Sequence, residues 1–249
     1  MNHTLDFLIK RATVREYADK EIDQKLLTDL LEAASHASTT GNMQLYSVVV
    51  TRDRLNKEKL APCHFNQQQI TNAPVVLTFC ADYNRFSKWC EARKAQPGYN
   101  NFHSFLTAMI DTLLFAQNFC VAAEQNGLGI CYLGTTTYNA GLITEILNLP
   151  RLVVPITTIT VGYPKQTPQY SDRLPINSVI HEESYKDYSS EDIDQAYNAK
   201  EALEENKHFV EINHKETLAQ IFTDIRYTKN DNEAISKHFA DVLKKQGFM

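Results

Sequence analysis

Two stretches of this 249-residue sequence concentrate groups that bind anions. The first is Arg11-Ala12-Thr13-Val14-Arg15, where guanidiniums flank a hydroxyl. Arginine offers a planar fork of donors that matches phosphate oxygens and stays charged at any working pH. The second is Tyr170-Ser171-Asp172-Arg173-Leu174-Pro175, a loop with one arginine. On spacing alone, the first stretch is as consistent with a solvated basic turn as with an anion site. Other chemistries find less support. The eight histidines include no pair at helical ligand spacing, and His181-Glu182-Glu183 lacks the second histidine of a zinc helix, so no metal site is assigned. There is no Gly-x-Ser-x-Gly elbow and no Walker loop. Gly127-Leu128-Gly129 with Gly134 has the wrong spacing for a dinucleotide fingerprint and follows a helix, so it reads as a helix end entering a strand.

The elements that must position these groups are legible from periodicity. Leu5 to Lys10 reads as a short helix and Arg11 to Ala18 as a polar loop. Asp23 is an N-cap for a helix to about His36, with Leu26, Leu27, Leu30, Leu31 and Ala34 on one face. Ala37 to Met43 reads as a loop around Gly41. Tyr46 to Thr51, Pro74 to Ala81, Cys131 to Gly134 and Val153 to Gly162 read as strands. Asn101 to Asn126 carries a wide apolar stripe and should be a central, buried helix ending at Gly127. Ala140 to Leu147 is a further helix. After about Ser184 the chain becomes charged and helical, at 192–205, 216–225 and 233–245, like an arm with no core of its own. Helices and strands do not alternate regularly, so the fold class is α+β. The expected division is 1–183 as core and 184–249 as arm.

Composition narrows the function. Hydrophobic residues at 43% and charged residues at 22% support a packed core. A net charge of −5 without a Lys/Arg run argues against nucleic acid as a partner. Met1 to Lys10 does not read as a signal peptide, and no run of roughly 20 uncharged apolar residues invites a membrane. The five cysteines are scattered, with no Cys-x-x-Cys, which fits a reducing cytoplasm and core packing.

Taken together and in order, the motifs resemble the nitroreductase family. Arg11-Ala12-Thr13-Val14-Arg15-Glu16-Tyr17 is similar to the family's opening motif. Phe79-Cys80-Ala81-Asp82, Asp111-Thr112, Ala116-Gln117-Asn118, Gly127-Leu128-Gly129, Gly162-Tyr163-Pro164, Arg173-Leu174-Pro175 and Lys245-Gln246-Gly247-Phe248 are similar to its larger, oxygen-insensitive NAD(P)H–flavin/nitro reductase branch. The resemblance implies a mostly antiparallel central sheet flanked by helices. It also implies an intertwined homodimer with FMN at the interface and a helical arm wrapping the dimer over the cofactor site. By position, Arg11, Thr13 and Arg15 would hold FMN, with Ser38, Thr39 and Gln44 near the flavin from the other subunit. Gln67 would face the isoalloxazine, Tyr132, Leu133 and Gly134 would line ring and ribityl chain, and Arg173 would bind phosphate. The implied reaction passes a hydride from NAD(P)H to flavin, then two electrons to a nitroaromatic, quinone or related acceptor by ping-pong kinetics. Flavin N5 carries the chemistry and no catalytic side chain is assigned. A flavin reductase supplying reduced FMN to a partner, or a non-enzymatic flavin-binding sensor, are the alternatives.

This sequence departs from the family pattern in three places. Ala12 stands where an arginine is frequent and Ser171 where a lysine is frequent. The segment aligned with the arginine loop for the NADPH 2′-phosphate holds only Lys207 and Lys215 as cations, beside acidic residues. An exposed lysine pair would favour NADPH by about 1 kcal/mol, roughly fivefold, and salt would erode it.

Overall fold

The computed structural model describes residues 3–249, with side chains from residue 4. The first residues of the Met1 to Lys10 segment judged above lie outside it. The helices are α1 (His3–Ile9), α2 (Gln24–Ser35), α3 (Arg54–Leu60), α4 (Gln68–Asn72), α5 (Asn84–Ala92), α6 (Phe102–Gln125), α7 (Ala140–Ile146), α8 (Ser190–Glu201), α9 (Glu204–Ile212), α10 (Leu218–Ile221) and α11 (Lys229–Gln246). The strands are β1 (Tyr46–Thr51), β2 (Val75–Asp82), β3 (Gly129–Leu133) and β4 (Val153–Gly162). Among the described residues they form one antiparallel sheet in the order β1-β2-β4-β3, so β1 and β3 are its edges.

The central strands are buried at every position. That is why the sequence shows continuous apolar runs there rather than alternation. Successive side chains of β2 serve opposite faces. Val75, Leu77 and Phe79 join α2 and α6 through Leu27, Leu30, Phe115 and Phe119. Val76 faces the other way, with Leu60, Ile70 and Ile143 from α3, α4 and α7. Phe115 anchors the first layer, stacked on Tyr46 at 4.3 Å and edge-on to Phe79 at 5.3 Å. Asp23 caps α2 by accepting from the Leu26 amide, and Asn101 caps α6 through the Ser104 amide. Gly127 ends α6 with φ of 76°, a conformation that costs glycine nothing.

By length and mean hydropathy α6 could cross a membrane, but its Phe105, Phe115 and Phe119 face is spent on the protein core. Phe102, Ile110 and Leu114 remain exposed on the same helix, as do Leu5, Leu8 and Ile9 of α1.

Contacts divide the chain into two units: the described part of Met1–Gln169 with Ile235–Met249, and Tyr170–Ala234. The division read from sequence at 183/184 differs at both ends. The loop after β4 already groups with the arm from Tyr170 onward. The last part of α11 belongs to the first unit, where Leu243 and Phe248 are buried with Phe105 and Val154. Burial of a phenylalanine is worth roughly 1.5–3 kcal/mol, enough to hold a chain end in place. The second unit buries Ala196, Leu218 and Ile221.

The Arg11 to Ala18 loop docks against β3 and β4. The Val14 amide donates to the Ile130 carbonyl at 2.9 Å, and the Ala18 amide to the Tyr163 carbonyl at 2.8 Å. The Tyr17 hydroxyl lies 2.9 Å from the Val14 carbonyl and 2.6 Å from Thr160 Oγ1. Gly129 permits this approach, because a Cβ there would lie 2.5 Å from Val14 Cγ2. Val14 is buried and β-branched, so it has no ready escape. Gly129→Ala should therefore lower stability by about 1–3 kcal/mol. The penalty measured by urea unfolding should shrink in a Val14→Ala background. An unchanged penalty would show that the loop does not press on this strand.

Candidate functional site

The docked loop separates its two arginines. Arg11 turns to Glu124 near the end of α6 and grips both carboxylate oxygens, the second at 3.1 Å. That hydrogen bond raises the Arg11 pKa further. Arg15 is exposed, and neither its guanidinium nor the Thr13 hydroxyl finds a hydrogen-bond partner among the described residues. Both border a cavity of about 290 Å³ closed on the far side by Gln166, Thr167, Pro168 and Gln169. An unpaired arginine beside a free hydroxyl, over an open cavity, has the donors to receive an anion.

β3 gathers Gln67, Tyr132, Leu133 and Gly134. A 3-10 turn at Ala61–His64 leads through Phe65 and Asn66 to Gln67, which precedes α4. The Gln69 amide donates to Gln67 Oε1 at 2.6 Å and approaches Cys131 Sγ at 4.0 Å. His64 Nδ1 lies 2.8 Å from Thr135 Oγ1, and Asn139 Nδ2 donates to the Cys63 carbonyl at 2.8 Å. Gln67 is thus tied to the Tyr132, Leu133 and Gly134 stretch from both ends. Leu133 points into the core, whereas Tyr132 is exposed. A side chain built on Gly134 would meet nothing within 4 Å, so the backbone there borders open space. Val14 reaches the same strand one residue before Cys131. Burial raises the Cys131 thiol and the Arg15 charge opposes that rise, which puts Arg15 in electrostatic reach.

Ser38, Thr39 and Gln44 lie in a separate loop, organised by a residue the sequence reading gave no role. Asp111 is buried in α6 and accepts from the Thr40 amide at 2.9 Å, the Thr40 hydroxyl at 3.0 Å and the Leu45 amide at 3.4 Å. A lone carboxylate inside an apolar helix is costly unless its oxygens are satisfied, and that cost is the signal that could have found it. Gln44 has φ of 55°, and its carbonyl accepts from Arg85.

In the second unit, Arg173 folds onto its own loop and donates to the Asp172 carbonyl at 2.7 Å. Asp172 pairs with Lys200. Lys207 and Lys215 are both engaged, by Glu204 and Asp224, each at 2.8 Å. The residue not foreseen is Arg226, at the end of a π-helical turn, Phe222–Arg226. Its guanidinium sits 4.6 Å from the Phe209 ring centroid and 5.7 Å from that of Phe222, with no hydrogen-bond acceptor among the described residues.

A sequence profile of the Nitroreductase family matches residues 8–163. The chain belongs to the nitroreductase family. It is 33% identical over 193 residues to a Cr(VI) reductase of Pseudomonas sp. (strain G-1), covering 78% of this chain and 79% of that protein. It is 30% identical to an FMN reductase [NAD(P)H] of Bacillus subtilis, over 100% of this chain and 98% of that one. Among solved structures, an oxidoreductase of Bacteroides fragilis superposes with a TM-score of 0.97 at 60% identity, covering 98% and 99% of the two chains.

Within this nitroreductase chain, His64 is the one buried histidine of the β3 cluster, with no exposure and no partner for Nε2 among the described residues. Burial alone depresses its pKa to about 4. In the unfolded chain a histidine titrates near 6.5. Above that pH neither state takes the proton. Between about 6.5 and 4 only the unfolded state does, so stability falls as pH drops through this window. From pH 7 to pH 5 the loss should be about 2 kcal/mol. Urea unfolding of a His64→Asn variant should lack this component, and an equal loss in both proteins would refute the assignment.

Proposed function

We propose that this chain is an NAD(P)H-dependent FMN oxidoreductase, a nitroreductase or flavin reductase in the cytoplasm, that passes electrons to small-molecule acceptors. The observation that carries the reading is the convergence at β3 of an unpaired Arg15 and Thr13, the Gln67 turn and the open backbone at Gly134. When bound, FMN supplies hydride acceptance and two-electron delivery. The residues here fit it as donors, since phosphate and a pyrimidine edge both take hydrogen bonds from arginine, hydroxyl and backbone N–H. Arg15 and Thr13 present charge and hydroxyl, Gln67 an amide, and Arg173 a guanidinium for phosphate. Arg11, already bidentate with Glu124, positions the loop rather than the cofactor. Donors fixed in advance by the fold need little reorganisation when charge develops against them.

The dimer belongs to the same reading. Ser38, Thr39 and Gln44 lie in the loop that Asp111 fastens through Thr40 and Leu45, and no bond ties them to the β3 cluster among the described residues, which supports their service to a second copy. The exposed apolar residues of α1 and α6 supply the kind of surface an obligate interface buries. A sensor without turnover is the weaker alternative. The five free cysteines are all buried, and burial holds the Cys63, Cys80, Cys120 and Cys131 thiols in the unreactive form.

The deciding experiment is anaerobic mixing of the yellow holoprotein with NADPH or NADH. The colour should bleach before any acceptor is added and return when a quinone or nitroaromatic is supplied. Steady-state double-reciprocal plots should be parallel. A colour that bleaches only when both substrates are present would reject the mechanism.

For the choice of nicotinamide, the paired state of Lys207 and Lys215 argues against them, and Arg226 takes their place in this proposal. Held by two rings and lacking an acceptor, it is ready for the 2′-phosphate. An exposed guanidinium is worth about 1 kcal/mol, or roughly fivefold. Arg226→Gln should reduce the NADPH/NADH ratio of kcat/KM by that factor, whereas Lys207→Gln and Lys215→Gln should leave it nearly unchanged. The reverse pattern would return the role to the lysines.

A further inference from the structure

Helix ends commonly close on a residue in the left-handed region, a position that favours glycine. The Ala61–His64 turn closes there on Phe65, with φ of 54°, and Asn66 follows with the same φ. The Phe65 amide donates to the Pro62 carbonyl at 3.2 Å and the Asn66 amide to the Ala61 carbonyl at 2.9 Å, so the conformation is locked by the turn. Asparagine tolerates it, but a phenylalanine with positive φ is a genuine outlier. The ring gains little in return from the fold. It is 62% exposed, and its one ring partner among the described residues is half-buried Tyr138, edge-on at 6.3 Å. A bulky apolar ring has therefore been kept where glycine would be unstrained and where the core does not need it. Such outliers cluster at ligand sites.

Its position says which ligand. Phe65 is two residues before Gln67, on the turn that His64 pins to Thr135 and Asn139 pins to Cys63. Tyr138 lies four residues beyond Gly134, on the other side of the same pins. The two rings stand on the two backbone stretches that the proposed function sets beside the flavin, and both are neutral and aromatic. We infer that Phe65, backed by Tyr138, is a specificity-determining wall of the acceptor site, and that it selects planar aromatic acceptors such as quinones and nitroaromatics over inorganic ones. The inference rests on the proposed function, because it takes Gln67 and Gly134 to be flavin neighbours. No bond to the acceptor is made; the ring stacks against it and fixes its plane.

The test uses the FMN-loaded protein, reduced beforehand by a stoichiometric amount of NADPH and then mixed with p-benzoquinone, 4-nitrobenzoate or ferricyanide. Ferricyanide, which has no aromatic face, is the internal reference for each variant. Aromatic contacts of this kind are worth about twofold to tenfold. Phe65→Ala and Phe65→Gly should both lower the ratio of aromatic to ferricyanide reoxidation rates by that factor, and Phe65→Tyr should restore it. Equilibrium binding of benzoate, a planar aromatic that accepts no electrons, should weaken in parallel when followed through the visible spectrum of the oxidised protein. Phe65→Gly should unfold at higher urea than Phe65→Ala, because only the alanine keeps the backbone strain.

Unchanged ratios and unchanged benzoate binding would overturn the inference. So would a shift to monomer in sedimentation of both variants, which would make Phe65 an interface residue. Failure of NADPH to bleach the wild-type protein is a different outcome, and it would strike the parent reading instead.

Discussion

The free edge of β3 is the constraint on which the site depends. The strand pairs with β4 on one side only, and an unpaired edge must be covered or it becomes a template for aggregation. The Val14 loop docks on the strand's backbone, and the turn bearing Gln67 packs against the face that Cys131 and Leu133 present. Val14 takes the Ile130 carbonyl, and the close approach is possible only because Gly129 has no side chain. The Gln67 turn arrives through Gln69, His64 and Asn139. Docking on this one strand brings together groups far apart in sequence. Where the covering ends, at Gly134, the backbone is left open.

The arginines illustrate how the same residue type is divided between structure and chemistry. A guanidinium with a carboxylate in bidentate contact has little left to offer a ligand, and breaking the pair would strand a partly buried Glu124. Arg11 is in that state, and Arg15, four residues on, is not. The backbone between them is held still by the Tyr17 hydroxyl on the Val14 carbonyl and by the Val14 amide on Ile130. A count of charges therefore overstates what this loop presents, because one of its two guanidiniums is engaged by Glu124.

The sheet and the long helices were legible because their signals are local. Tyr46–Thr51 and Val153–Gly162 are β-branched runs with clear ends, and Asp23 and Asn101 announce the helices they cap. Arg54–Leu60 and Gln68–Asn72 were not read as helices, since both are short, polar and without a sustained stripe. The roles of Asp111 and Glu124 depend on partners 71 and 113 residues away, which no periodicity reports. The end of the chain reads as arm because its charges dominate the composition, while a few buried residues, Val242, Leu243, Gln246 and Phe248, decide where it packs. Within the site, Thr13, Arg15, Gln67 and Gly134 were chosen by family resemblance, and the structure adds which of them are unengaged. In His64-Phe65-Asn66 only Asn66 hints at a left-handed turn, and glycine, the residue that normally marks one, is absent.

That absence is informative about how the molecule divides its stability. A fold tolerates a strained turn only where surrounding contacts over-determine it. Here the over-determination is visible: the turn is fastened by its own amides, by His64 to Thr135 and by Asn139 to Cys63, and Cys63, His64 and Ile70 on either side are fully or almost fully buried. Neutral, buried His64 is itself costly to keep, since it leaves Nε2 unpartnered among the described residues and disfavours the charged form. Strain at Phe65 and burial at His64 occur in consecutive residues, on the single segment that carries Gln67. The hydrophobic layer beneath it, from Leu60 to Ile143, therefore does more than stabilise the sheet: it buries Ala61 and Cys63 of the turn itself and so supplies the contacts that the strain at Phe65 requires.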